Sequence, residues 1–150
     1  MLAILLGVLL MHAGVHAQGA PKPQAAGMVK GVSGTATLER AGVEVALVAG
    51  APVQMGDTLR TAADSAIGIT LADDTLLTLG ANSELVLTDY SFDSTTHDGG
   101  MLASLWRGTV AVVTGLIGKK SPDKVRLQTR TVVLGSRGTE FIVEAGAGAK

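Results

Sequence analysis

The stretch Gly50–Leu87, GAPVQMGDTLRTAADSAIGITLADDTLLTLGANSELVL, decides the fold. Apolar residues take every second position: Ile67, Ile69 and Leu71, then Leu77 and Leu79, then Leu85 and Leu87. Turn residues break the runs at Asp73-Asp74 and again at Gly80-Ala81-Asn82. In an extended chain successive side chains point to opposite faces, so each run offers one face for burial. Three short strands divided by turn chemistry are the signature of an all-β unit.

The pattern continues upstream. Val43, Val45 and Leu47 predict a strand, Val53 and Met55 lead into a turn at Gly56-Asp57, and Leu59 and Thr61 follow. Val32, Gly34, Ala36 and Leu38 alternate with Ser33, Thr35, Thr37 and Glu39, which predicts one half-buried strand with small inward residues. Downstream, the polar run Thr88–Gly100 predicts a long loop. Met101–Trp106 could form one helical turn, and Val110, Val112 and Val113 are β-rich. Gly115–Lys124 predicts an exposed loop. Val125, Leu127 and Thr129 alternate with Arg126, Gln128 and Arg130, so one face is apolar and the other basic. Phe141 and Val143 give a last strand. No segment carries a convincing helical period, and the chain divides into about ten short strands. The expected fold is all-β, a single domain of many short strands, either β-solenoid-like or sandwich-like. Both architectures use the same alternation.

The ends differ from this middle. Met1–Ala17, MLAILLGVLLMHAGVHA, has an apolar run and small or permissive residues before a cut, and predicts a signal peptide cleaved before Gln18. The alternative is an N-terminal membrane anchor, although the run is shorter than the ~20 apolar residues that a spanning helix needs. Residues 18–27 predict a flexible leader, 28–144 the β domain and 145–150 a disordered tail. No stable membrane span is expected after cleavage.

At 150 residues the chain fits one domain with one core. It is 47% hydrophobic but 3% aromatic, so the core must be built from Val, Leu, Ile and Ala. The lack of cysteine removes disulfides, thiolate metal sites and thiol nucleophiles. The net charge of −1 gives no case for nucleic acid. It conceals an asymmetry. Residues 18–100 carry four Lys or Arg against ten Asp or Glu, a balance of −6, and residues 101–150 carry eight against three, a balance of +5.

Lys119, Lys120, Lys124, Arg126 and Arg130 form the strongest candidate cluster for binding a partner. They suit an anionic glycan, lipid headgroups or an acidic protein. The competing reading is that they neutralise the acidic first half of the chain. The aromatics Trp106, Tyr90, Phe92 and Phe141 lie elsewhere in the sequence, so base or sugar stacking within the cluster is not expected.

Catalytic and metal motifs are lacking. Asp89, Asp93 and Asp98 do not have the alternate spacing of a calcium loop. His97 follows the signal region alone, and one histidine cannot make a zinc site. No serine sits in a nucleophile elbow, and the glycines do not form a phosphate loop. Gly56-Asp57-Thr58 predicts an Asx-type turn, its carboxylate accepting N–H groups two residues on. No catalytic residue, metal or cofactor is expected.

Several blocks together resemble the FecR domain family. They are Gly31-Val32-Ser33-Gly34-Thr35, Gly56-Asp57-Thr58-Leu59-Arg60-Thr61, Leu71-Ala72-Asp73 with Leu77-Thr78-Leu79, and Gly135-Ser136-Arg137-Gly138-Thr139-Glu140-Phe141. Their order and spacing cover about residues 28–144. Gly56, Asp57, Thr61, Asp73, Arg137, Gly138, Thr139 and Phe141 carry the resemblance, and each is read as structural: turn formers, a core phenylalanine, and a local ion pair of Arg137 with Glu140. Where the family usually has Asp-Gly in the central turn, this chain has Asp73-Asp74, at a cost of ~1 kcal/mol for a left-handed aspartate. The resemblance implies an extracytoplasmic all-β module of a bacterial envelope, periplasmic or secreted. The expected function is non-enzymatic binding of an envelope protein or glycan. Two alternatives stay open: a periplasmic regulator in iron-linked signalling of the anti-sigma type, and a cell-wall glycan hydrolase.

Overall fold

Residues 24–136 and 138–146 are described by a computed structural model. The signal peptide expected at 1–17 and most of the leader expected at 18–27 lie outside the described residues. Among the described residues twelve strands follow one another: β1 Gly27–Ser33, β2 Ala36–Arg40, β3 Val43–Ala46, β4 Pro52–Val53, β5 Thr58–Thr61, β6 Ala66–Leu71, β7 Leu76–Leu79, β8 Glu84–Phe92, β9 Gly99–Val113, β10 Val125–Gln128, β11 Val133–Gly135 and β12 Glu140–Ala145. One short helix, α1 (Leu116–Lys120), lies between β9 and β10. Ala26 is buried and Gly27 opens β1, so the domain starts before the expected end of the leader. At the other end Ala145 still belongs to β12 rather than to a tail.

The period-two runs build the core. Ile67, Ile69, Leu71, Leu77, Leu79, Leu85 and Leu87 are each at most 2% exposed. Burying a side chain of this size stabilises by about 1.5–3 kcal/mol. The break between β6 and β7 falls at the predicted turn, where Asp74 takes φ 65°.

The strands join into one curled sheet, in the order β3-β2-β5-β8-β9-β7-β6-β1-β4. β9 is its spine. β7 and β8 run end to end along one edge of β9, from Leu76 opposite Val113 to Phe92 opposite Gly99. The other edge carries β10 and β12. One half of the sheet continues from β7 through β6 and β1 to β4. The other continues from β8 through β5 and β2 to β3. Residues of both halves, among them Val29, Ile69 and Val112 with Leu38, Leu59 and Leu127, form a single hydrophobic cluster. Every pairing is antiparallel except that of β9 with β10. A parallel pair needs a crossover, and residues 114–124 with α1 supply it.

The bend in the spine has a local cause. Met101, Ala103 and Leu105 are buried at odd positions, but Val110 and Val112 at even ones. One extra residue shifts the parity. Leu85 pairs with Leu105 and Glu84 with Arg107, so Trp106 bulges from the ladder. Gly108 follows at φ 84°, and a Cβ there would lie 2.5 Å from Ser83 Cα. That close approach is where the sheet turns upon itself.

Four local expectations fail. The strand expected over Val32–Leu38 is two strands, because the chain turns at Gly34 (φ 76°) and passes from one half of the sheet to the other. Met101–Trp106 is not a helical turn but part of β9, held by β8 on one edge and by β10 along Met101–Ser104 on the other. The loop expected over Thr88–Gly100 shrinks to 93–98, since β8 runs to Phe92, and Tyr90 and Phe92 pack against the core. Gly115–Lys124 is not a wholly exposed loop, because α1 buries Ile117 and Gly118.

Candidate functional site

The basic cluster divides in the structure. Lys124 closes a 3-10 turn at Pro122–Lys124, and Arg126 stands exposed on β10 between the buried Val125 and Leu127. Both line a groove of about 370 Å³ with Asp89, Leu102, Gln128 and Val133. The Arg126 Nε donates to the Asp123 carbonyl at 3.1 Å, which fixes the base of the side chain. Lys119 and Lys120 end α1 and do not line this groove. Lys120 Nζ lies 2.8 Å from Asp98 Oδ1 and donates to the Thr96 carbonyl at 2.7 Å. That hydrogen bond and charge hold the Asp98 carboxyl below the usual carboxylate range. Arg130 also leaves the cluster. β10 ends at Gln128, and Thr129–Val132 form a turn closed by Thr129 N–H to the Val132 carbonyl at 2.8 Å. The parity that would align Arg130 with Arg126 therefore stops before it.

The loop between β8 and β9 is ordered by its own carboxylate. Asp93 accepts the N–H groups of Thr95 at 2.8 Å and Thr96 at 3.0 Å. Those bonds lower its pKa. His97 stacks on Phe92, with ring centroids 6.2 Å apart. Among the described residues no three His, Asp or Glu side chains are grouped to hold a metal ion.

Two carboxylates are buried, and each is enclosed by donors. Asp57 accepts a two-pronged contact from Arg40 and the Gln54 N–H at 2.7 Å. The bond to Gln54 runs back three residues, not forward two, so the Asx geometry expected at Gly56-Asp57-Thr58 is absent. Asp73 accepts the Thr75 hydroxyl at 2.7 Å, the Tyr90 hydroxyl at 3.0 Å, and the N–H groups of Thr75 and Ile117 at 3.3 Å. Its carbonyl takes the Leu116 N–H at 2.7 Å. Thr75 Oγ1 in turn accepts the Gly115 N–H at 3.0 Å. The turn between β6 and β7 is thus fastened to the start of α1. Burial, then the Asp73 charge, pushes the Tyr90 hydroxyl's pKa up. Asp57 and Asp73 have their oxygens committed to backbone and side-chain donors, which leaves no open carboxylate for acid–base work at either position.

A family model described as FecR protein matches residues 57–150. The chain belongs to the FecR family. Its members are in general extracytoplasmic proteins of signalling and regulation. Neither the curated proteins nor the solved structures yield a match. No helix among the described residues is long and apolar enough to cross a membrane.

The FecR-motif residues fall at joints of the sheet. Gly56 sits at φ 89° in the turn before β5, its N–H bound to the Leu87 carbonyl at 2.7 Å. Thr61 Oγ1 donates to the Gly80 carbonyl at 2.6 Å and accepts the Ser83 N–H at 2.9 Å, so it closes the corner beside Gly108. Arg137, and with it the pairing expected with Glu140, lies outside the described residues. Gly138 accepts the Ser136 hydroxyl at 2.7 Å, and the Thr139 carbonyl accepts the Thr114 N–H at 2.8 Å. Phe141 is half-buried against the core and pairs with Val112. Arg40, Thr75, Tyr90 and Ser83 do as much as these and were not singled out from the sequence. Their partners are distant in the chain, so no local spacing marks them.

Proposed function

We propose that this FecR-family chain is a non-enzymatic binding module of the bacterial envelope, taking an acidic protein or anionic glycan at the groove of Lys124 and Arg126. The observation that carries the reading is the pairing of two exposed cations with apolar Leu102 and Val133 in one groove on the outer side of β9, β10 and β11. Cations beside apolar surface give an anionic partner both attraction and burial. Asp89 on the same wall sets the limit of the positive patch and favours a partner with spaced rather than dense charge. The enclosure of Asp57 and Asp73 supports the non-enzymatic part. Export by the segment 1–17 fits the compartment of the family. The test is retention of the mature protein's partner from its own envelope extract, with identification of what is retained. Lys124→Glu with Arg126→Glu should abolish retention and leave the thermal midpoint unchanged. Retention that survives the double reversal refutes the groove as the site.

Family membership favours a second reading, a regulator in iron-linked signal relay. A sigma factor or outer-membrane receptor gene beside this one supports it, and a neighbourhood without either counts against it.

A further inference from the structure

The edge of β9 that carries β10 and β12 is interrupted. β10 pairs with Met101–Ser104 and β12 with Gly108–Val113, so among the described residues no strand pairs Leu105–Arg107 on that edge. A pocket of about 210 Å³ opens in the gap, lined by Trp106, Thr129, Arg130, Thr131 and Glu144. Trp106 is the chain's one tryptophan. The bulge that removes it from the ladder with β8 leaves it half-exposed and outside the core cluster. β10 ends at Gln128, opposite Ser104, and the turn at Thr129–Val132 carries Arg130 into the pocket that Trp106 lines. Glu144, opposite Thr109, closes the pocket from β12. Among the described residues neither Arg130 nor Glu144 is in an ion pair.

We propose that this pocket binds a saccharide unit, with its ring lying on the Trp106 indole. The face of an aromatic ring is electronegative and attracts the C–H groups on one side of a sugar ring. A guanidinium, a carboxylate and threonine hydroxyls at the rim supply the donors and acceptors that a set of ring hydroxyls needs. The alternatives fit less well. Glu144 offsets Arg130, so a bare anion gains little here. A purely apolar ligand would strip water from four polar side chains without replacing their hydrogen bonds. A peptide strand would gain few backbone hydrogen bonds over three residues of edge. The pocket is distinct from the Lys124–Arg126 groove, roughly 13 Å away along β9 at the rise of an extended chain.

The single tryptophan makes its own reporter. Titrating the mature protein with the β-linked tetramer of N-acetylglucosamine, and with cellotetraose, should change the Trp106 emission saturably for at least one of them. Calorimetry should give the same affinity. Trp106→Ala should weaken that binding by about tenfold or more, and Arg130→Ala should weaken it as well. Arg126→Glu should leave it unchanged, which separates this pocket from the groove. Absence of both an emission change and a heat signal with the two saccharides overturns the proposal. So does saturable binding of a nucleotide such as adenosine monophosphate in their place.

Discussion

The guanidinium of Arg40 grips the carboxylate of Asp57 through two parallel bonds, Nε to Oδ1 at 2.7 Å and Nη2 to Oδ2 at 2.6 Å. Asp57 is 1% exposed and the Arg40 side chain 38%. The same guanidinium donates to the Pro52 carbonyl at 3.1 Å, so one side chain ties β2 to both β4 and the turn before β5. The hydrogen bond to Asp57 raises the Arg40 pKa further. Arg40→Ala leaves a buried carboxylate with one remaining donor. The expected loss of stability is about 1–3 kcal/mol, less than for a fully buried pair because solvent reaches Arg40. Arg40→Lys keeps the charge without the fork and should fall between. Urea unfolding measures both, and an alanine variant as stable as the parent would show that the pair is dispensable.

Thr75 is the link between the β6–β7 turn and α1. Its hydroxyl donates to Asp73 Oδ2 and accepts the Gly115 N–H. Thr75→Val keeps the shape and removes both bonds, stranding the buried Gly115 N–H and leaving Asp73 Oδ2 only the longer bond from the Ile117 N–H. A loss of about 2–4 kcal/mol is expected. Hydrogen exchange adds a local readout: the amides of Gly115 and Ile117 should lose protection more than those of β1. Equal loss throughout would mean that Thr75 acts on the whole fold rather than on the α1 joint.

These contacts lie beyond what the sequence made legible. The alternation from Ile67 to Leu87 maps directly onto one buried face, because period two needs no knowledge of partners. β9 is the opposite case. Met101, Leu102, Leu105 and Trp106 break alternation, since the Trp106 bulge and Gly108 change the parity within one strand. Tyr90 and Phe92 stand among polar residues, and it is the pairing of β8 with β9, Tyr90 opposite Met101 and Phe92 opposite Gly99, that sets them against the core. α1 is too short to show a helical period. For the candidate site the residue types were legible, but their grouping was not: Lys124 and Arg126 share a groove, while the end of β10 sends Arg130 to Trp106 instead.

Alkaline titration should report on Tyr90. In the unfolded chain its hydroxyl loses a proton near pH ~10. In the fold, burial and the neighbouring Asp73 charge hold that proton to higher pH. The stability this contributes is therefore complete below pH ~10 and declines as the pH rises from there toward the folded value. Tyr90→Phe should be less stable at neutral pH, because the Asp73 N–H and carboxylate each lose a partner. It should also show a shallower decline above pH ~10. Parallel declines for parent and variant would assign the alkaline sensitivity to another group.

Gly56 and Gly108 share a backbone conformation, at φ 89° and 84°, but not their surroundings. A Cβ on Gly56 would meet nothing within 4 Å, whereas one on Gly108 would press on Ser83 Cα at 2.5 Å. Gly56→Ala should thus cost the conformational term alone, about 1–2 kcal/mol. Gly108→Ala adds a backbone collision at the corner where Thr61, Ser83 and Thr109 close their hydrogen bonds. Its cost should exceed ~3 kcal/mol, in the range where substitutions unfold marginal domains. Ser83→Gly removes the side chain from that corner but not its Cα, so it should rescue Gly108→Ala in part at most. Thermal unfolding of the four variants reads the order directly. Equal costs at Gly56 and Gly108 would mean that the corner yields freely, and that the close approach of β8 and β9 does not fix the fold of the sheet.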